Sequence, residues 1–186
     1  MPAVNAPVTS PLKLDAIGLR GILASAGASF ISCVDEGKLG TVIRVHATER
    51  DTVIAALRDG ETAFTQMIDL FGADLEACEA VEADEEKGIE AQPAQPGCVE
   101  VTYFLRSMKY DYDVRVKMQL AYQADYHSVI DFFLSALLSE RELCEMFGLT
   151  LLDHPNPKRL VTNKNYPTPL LKTTPIRSKE VVWTRS

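Results

Sequence analysis

A chain of 186 residues, 46% hydrophobic and 24% charged with a formal net charge of −7, is long enough to bury a substantial core as one domain. It contains no run of eighteen apolar residues, so no segment is suited to cross a membrane as a helix. Residues 1–10 lack both a basic and an apolar stretch, so they read as a flexible leader and not a secretory signal, and a cytoplasmic protein is expected.

Residues 11–153 are expected to fold as an α+β domain. Leu14, Ile17, Leu19, Ile22 and Leu23 fall at rough helical spacing between Pro11 and Ala26, with Asp15 near the start and a stop near Gly27. The β-rich runs 28–35 and 41–46 flank Glu36–Gly40 as a hairpin, which leaves His46 at a strand end on the surface. Asp51 is placed to cap a helix that runs to about Arg58 and buries Val53, Ile54 and Leu57. Thr65–Leu70 reads as a further strand. Residues 76–97 are then crowded with acids and end in Gln92-Pro-Ala-Gln-Pro-Gly97. Such a stretch buries too little apolar surface to offset its ordering entropy and reads as an acidic loop insertion.

The clearest β-hairpin follows. Val99, Val101, Tyr103 and Leu105 alternate with polar neighbours, as do Val114, Val116, Met118 and Leu120, around a turn at Ser107–Asp111. These strands imply a mostly antiparallel sheet with helices packed on one face. Ile130, Phe133, Leu134, Leu137 and Leu138 give i, i+3, i+4, i+7, i+8 spacing and predict a helix from about His127 that closes the core. Ser139, three residues before Glu142, then reads as a capping box that opens a second, short helix with Leu143, Met146 and Phe147 on one side and Gly148 as its left-handed stop. Glu140 and Glu142 stand two positions apart and point to different sides of a helix, which argues against a shared acid/base centre.

The four cysteines, Cys33, Cys78, Cys98 and Cys144, are scattered, and the nearest histidine to any of them is ten positions away. They read as unpaired thiols, with no metal set and no disulfide framework. Charge is divided sharply: residues 1–153 carry 12 Lys and Arg against 25 Asp and Glu, whereas residues 154–186 carry 7 against one. The second segment also holds half of the 10 prolines, so it reads as an extended basic arm. Its apolar residues, with Trp183 as anchor, suggest that it becomes ordered on another subunit, the alternative being that it packs back on its own domain. An acidic protein surface suits it better than nucleic acid, which the acidic body would repel.

The joint pattern Glu140-Arg141-Glu142, Met146-Phe147-Gly148, His154-Pro155 and Lys158-Arg159-Leu160 resembles the signature of the NuoC-type (30 kDa) peripheral-arm subunit of respiratory complex I and of the related energy-converting membrane-bound nickel-iron hydrogenases. Looser similarity runs from Phe64 to Pro175. The resemblance implies a docking subunit without a cofactor or active site of its own. Such a subunit braces a catalytic large subunit and an iron–sulfur subunit on the cytoplasmic side, and meets the membrane only through the complex. Glu140, Arg141, Glu142, Phe147, Gly148, His154, Pro155, Lys158, Arg159, Leu160 and Trp183 would then be docking or signature residues. Respiratory members usually continue with an acidic-Trp element and a Pro-Leu-Arg-Lys-Asp-Tyr run. Here Asn163-Lys-Asn-Tyr-Pro167 and Pro169-Leu-Leu-Lys-Thr-Thr-Pro175 stand instead, a departure that points first to the hydrogenase branch and second to complex I. The competing reading from another class is a stand-alone enzyme using Glu140, Glu142 and His154.

Overall fold

The computed structural model describes residues 14–37, 40–77, 95–163 and 166–174. The leader at 1–10, most of the acidic insertion, Cys78 and the Trp183 anchor lie outside these residues.

The chain folds as an α+β domain around a five-stranded mixed sheet. The strands are β1 (Ser32–Asp35), β2 (Thr41–Val45), β3 (Gln66–Leu75), β4 (Cys98–Ser107) and β5 (Tyr112–Ala121), in the order β1-β2-β5-β4-β3. Every pairing in it is antiparallel except β2 with β5, which is parallel. Strand β3 continues five residues past the expected Leu70, because each of its positions from Asp69 to Leu75 finds a partner on β4.

Register puts Cys33, Ile43, Val116, Tyr103 and Leu70 in one row across the sheet, and all are buried. The three helices, α1 (Ala16–Ser25), α2 (Arg50–Asp59) and α3 (Ala136–Phe147), meet this face. Cys33 Sγ reaches the Ala16 carbonyl, Arg50 reaches the Tyr103 hydroxyl, and Gly72, level with Val101, lies under Leu143 and Phe147. The opposite face carries charged pairs such as Lys117–Glu100 and Arg106–Asp113. The expected architecture of strands below and helices on one side is what forms. Burial of this apolar row is the main stabilising contribution, at roughly 25 cal/mol per Å² removed from water.

Local signals account for part of the detail. Asp15 caps α1 by accepting from Gly18 N at 2.7 Å, and Gly27 turns the chain at φ 70°. Asp51, expected as the cap of α2, is not one. A 3-10 turn at Ala47–Glu49 leads directly into the helix, which places Asp51 in its first turn, paired with Arg50 at 2.7 Å. There it still meets the favourable end of the helix dipole.

The larger departure lies after β5. Residues expected to start a helix near His127 instead form β6 (Asp125–His127), which pairs in parallel with β7 (Thr150–Leu152), followed by turns up to Ser135. One helix, α3, then runs unbroken through the signature. Ser139 lies inside it and caps nothing, while Ser135 occupies the N-cap without a capping bond, its hydroxyl donating instead to the Met67 carbonyl at 3.4 Å. Leu134 and Leu138, expected to close the core, are exposed.

Candidate docking site around helix α3

Helix α3 is held at two points, Glu140 and Glu145, by carboxylates that have no salt bridge among the described residues. Glu140 is 0% exposed and accepts from three neutral donors: Val129 N at 2.6 Å, Ser128 Oγ at 2.5 Å and Tyr126 Oη at 3.2 Å. This explains why 128–130 turns and does not join a helix: the Val129 amide and the Ser128 hydroxyl are taken by the carboxylate. A buried charge survives only when its lone pairs are filled in this way.

The bonding continues inward. Tyr103 Oη donates to Tyr126 Oη at 3.1 Å, and Arg50 donates to Tyr103 Oη at 3.4 Å and to the His127 carbonyl at 2.6 Å. The Arg50 guanidinium also lies 5.5 Å from the centre of the Tyr126 ring. Burial raises the Tyr103 hydroxyl to about 12 and the Tyr126 hydroxyl well above its ordinary value, so both remain protonated donors. Arg50 and Glu140 are thus opposite charges bridged by two phenols.

Glu145, further along the helix, faces the other way, toward residues 154–174. Its Oε2 accepts from Leu160 N at 2.6 Å and Val161 N at 3.1 Å, and its Oε1 accepts from the amide and the hydroxyl of Thr162. Burial pushes this carboxyl up, but the Thr162 hydroxyl and the three amides outweigh it and hold it at about 2. Arg141 completes the strap, donating from Nε to the Lys158 carbonyl at 2.7 Å and from its fork to the Arg159 carbonyl at 3.1 Å. Further along, Leu170 N reaches the Met146 carbonyl at 3.2 Å and Lys172 N reaches Asp74 Oδ2 at 2.8 Å.

For the described residues of the arm, order gained on another subunit gives way to the alternative, packing back on their own domain. Over residues 154–163 and 166–174 the arm lies on α3, because side chains of the helix supply the bonding partners that its proline-broken backbone cannot find within itself.

The remaining signature residues have clear places. Glu142 is exposed on the side of α3 away from Glu140. Phe147 covers Gly72, where a Cβ would come within 2.6 Å of the ring. Gly148 closes α3 at φ 71°, and a Cβ there would lie 2.6 Å from Thr168 of the arm, so it serves both turn and strap. His154 is buried, with Nε2 directed at the Leu137 carbonyl at 3.0 Å and Nδ1 accepting from Asn156 N at 3.0 Å. Pro155, Lys158, Arg159 and Leu160 are exposed, and the Arg159 guanidinium is anchored to Thr162, Asn163 and Tyr166.

Glu140 and His154 are buried, and Glu142 is exposed on another side of α3. A groove of about 830 Å3 lies elsewhere, lined by Ile22, Asp51, Asp59 and Phe132 among others. Among the described residues no group of three His, Cys, Asp or Glu side chains is placed to hold a metal ion, and no helix is long and apolar enough to cross a membrane. Cys33 and Cys144 are buried thiols, and burial, followed by the nearby Glu140, raises Cys144 to about 12.

Sequence reasoning missed Glu145, Ser128, Tyr126 and Arg50. A signal existed for Glu140: it shares a helical face with Leu143, Cys144 and Phe147, at i+3, i+4 and i+7, and that face is buried.

Fold and site together define an α+β domain whose most elaborate polar chemistry organises its own backbone and fixes a C-terminal strap. The chain belongs to the family described as respiratory-chain NADH dehydrogenase, 30 Kd subunit, whose model matches residues 43–180. Among relatives, the C subunit of the NADH-quinone oxidoreductase of Maricaulis maris is 31% identical over 76% of this chain and 64% of its own. The fused C/D subunit of the Shewanella woodyi oxidoreductase is 37% identical over 71% of this chain and 21% of its own, so this chain spans under two thirds of either. A chain of the membrane-bound sulfane sulfur reductase, an archaeal respiratory membrane complex, aligns with a TM-score of 0.47 at 17% identity over 73% of this chain and 69% of its own.

Proposed function

We propose that this protein is a docking and bracing subunit, without a cofactor of its own, in the soluble arm of a complex I-like redox assembly. It sits there beside the catalytic large subunit and the iron–sulfur subunit, on the cytoplasmic side of a membrane that it meets only through the complex. The observation that carries this reading is the use of the signature itself. The lone pairs of Glu140 and Glu145 and the fork of Arg141 are occupied by hydroxyls, amides and carbonyls of the same chain. The motif shapes a surface and leaves no free acid/base pair to act on a substrate. The joining of C and D types in one polypeptide in the Shewanella relative supports a D-type subunit as immediate neighbour.

Two branches of the assembly have support. The departures at Asn163–Pro167 and Pro169–Pro175 favour an energy-converting nickel-iron hydrogenase. The names of the relatives favour an NADH–quinone oxidoreductase. Isolation of the assembly through a tag on this chain tests both. Co-purification of iron–sulfur protein, with nickel and hydrogen-dependent reduction for the first branch or NADH-dependent quinone reduction for the second, is expected. Recovery of a stable monomer from detergent-solubilised membranes would overturn the proposal. A stand-alone enzyme predicts turnover by that monomer, abolished in Glu140→Gln and Glu142→Gln.

A further inference from the structure

We infer that the turn before α3, the outer side of α3 and the strapped arm form one protein-docking ridge, Leu134, Leu138, Leu160 and Val161 flanked by Lys158, and that its occupant is an apolar strip rimmed by carboxylates on the neighbouring D-type subunit. The inference rests on the subunit reading above and adds the surface and its chemistry.

The first observation is a failure of amphipathic logic. Leu134 and Leu138 stand four positions apart in an apolar run, yet they are 76% and 53% exposed while Phe133 and Ala136 beside them are buried. One exposed leucine needs no explanation. Two together, Leu134 in the turn that leads into α3 and Leu138 in the helix itself, continued by Leu160 at 43% and Val161 at 62%, make a row. The arm joins this row because Glu145 lies seven positions beyond Leu138 on α3 and holds the amides of 160 and 161. With their N–H groups turned onto the helix, both side chains stand outward. From Leu138 to Glu145 the helical part of the ridge is about 10 Å long at 1.5 Å per residue.

The second observation is rigidity. Arg141 fixes the carbonyls of 158 and 159, and Arg159 ties its own loop at Thr162, Asn163 and Tyr166. A row of apolar side chains on a strap fastened this often loses little freedom on binding, which is the condition for useful affinity from a small area. The third observation is charge. Lys158 is exposed and its ammonium has no ion-pair partner among the described residues, in a chain of net charge −7. It therefore calls for a carboxylate on the partner. Glu142, exposed on the same helix one turn after Leu138, suits a protein partner and opposes an anionic lipid surface, which favours an uninterrupted basic flank.

The test uses the full chain in its assembly, captured through a tag on the D-type subunit, with retention of this chain as the readout. Leu134→Ser with Leu138→Ser, and separately Leu160→Ser with Val161→Ser, should each lower retention at least about tenfold, the equivalent of 1.4 kcal/mol. Lys158→Glu should lower it several-fold. All should leave the thermal midpoint of the isolated chain unmoved, since these side chains are exposed. Ile17→Ser, at a residue 77% exposed on α1, should be retained like wild type. Normal retention of both serine pairs, with wild type retained, would overturn the ridge and leave the subunit reading standing. Wild type absent from the captured assembly would overturn that reading and the ridge with it. If the serine pairs abolish binding to phosphatidylglycerol vesicles but not retention, the occupant is a lipid surface and the proposal fails.

Discussion

Glu140 and Glu145 sit five positions apart on one helix and do opposite jobs with the same chemistry. Each is buried, and each gathers neutral donors in place of a cation. Glu140 faces the sheet and joins α3 to the loop after β6, through donors from within the folded body. Glu145 faces outward and gathers consecutive amides of an arm whose described residues form no strand or helix to satisfy them. One carboxylate is therefore part of the core, and the other is a fastener for a strap. The difference teaches that a conspicuous charged motif can be wholly structural and still define a surface, because the backbone it fixes carries the exposed side chains.

The comparison can be broken at several points. Glu140→Ala should have the largest effect, about 3 kcal/mol or more of lost stability, since it strands a buried amide and two hydroxyls. Urea unfolding measures it, and Glu140→Gln, which keeps one acceptor, should recover about half. Gly72→Ala should cost about 1–3 kcal/mol by pushing on Phe147 and Leu143. Adding Leu143→Ala to that variant should cost less than the two changes separately, because the new methyl then has room.

Glu145→Gln should leave the global midpoint nearly unchanged and speed hydrogen exchange at the amides of 160–162 by about tenfold. Acid should act in the same way. The Glu145 carboxyl is lowered from 4.5 to about 2 in the folded chain, so its contribution is complete above about pH 4.5 and is lost as pH falls through 2. Exchange or proteolysis confined to the arm in that window, absent from Glu145→Gln, is the expected signature. Arg141→Lys should be mildest, a few tenths of a kcal/mol, because an ammonium cannot hold two successive carbonyls as the guanidinium fork does. Faster exchange near Asn156–Leu160 than in the rest of the arm would report it.

How much of this was legible follows the range of the forces involved. The β4–β5 hairpin reads directly, since alternation of Val99, Val101, Tyr103 and Leu105 is a local record of one buried face. The helix cap at Asp15 and the stops at Gly27 and Gly148 are equally local. The run from His127 to Leu138 misleads because its apolar spacing is helical, while the forces that turn it come from Glu140 and from pairing of β6 with β7. Ser139 and Glu142 match a capping box by spacing alone, and the helix passes through them. The strap was illegible for the same reason. Nothing in the composition of a basic, proline-rich segment reveals that Arg141, Glu145 and Asp74 wait for its backbone.

The parallel pairing of β2 with β5 bears on how the molecule comes into being. Strands β4 and β5 meet across the short turn 108–111, but Thr41 finds Val114 only 73 positions later. The cost of closing a long loop must be met before such a contact returns anything. On the ribosome the β1–β2 hairpin is made first and its inner edge, Thr41–Val45, stays unsatisfied until β5 has emerged. During that interval a strand destined for the interior of the sheet is an open edge, the form in which chains most readily pair with the wrong neighbour.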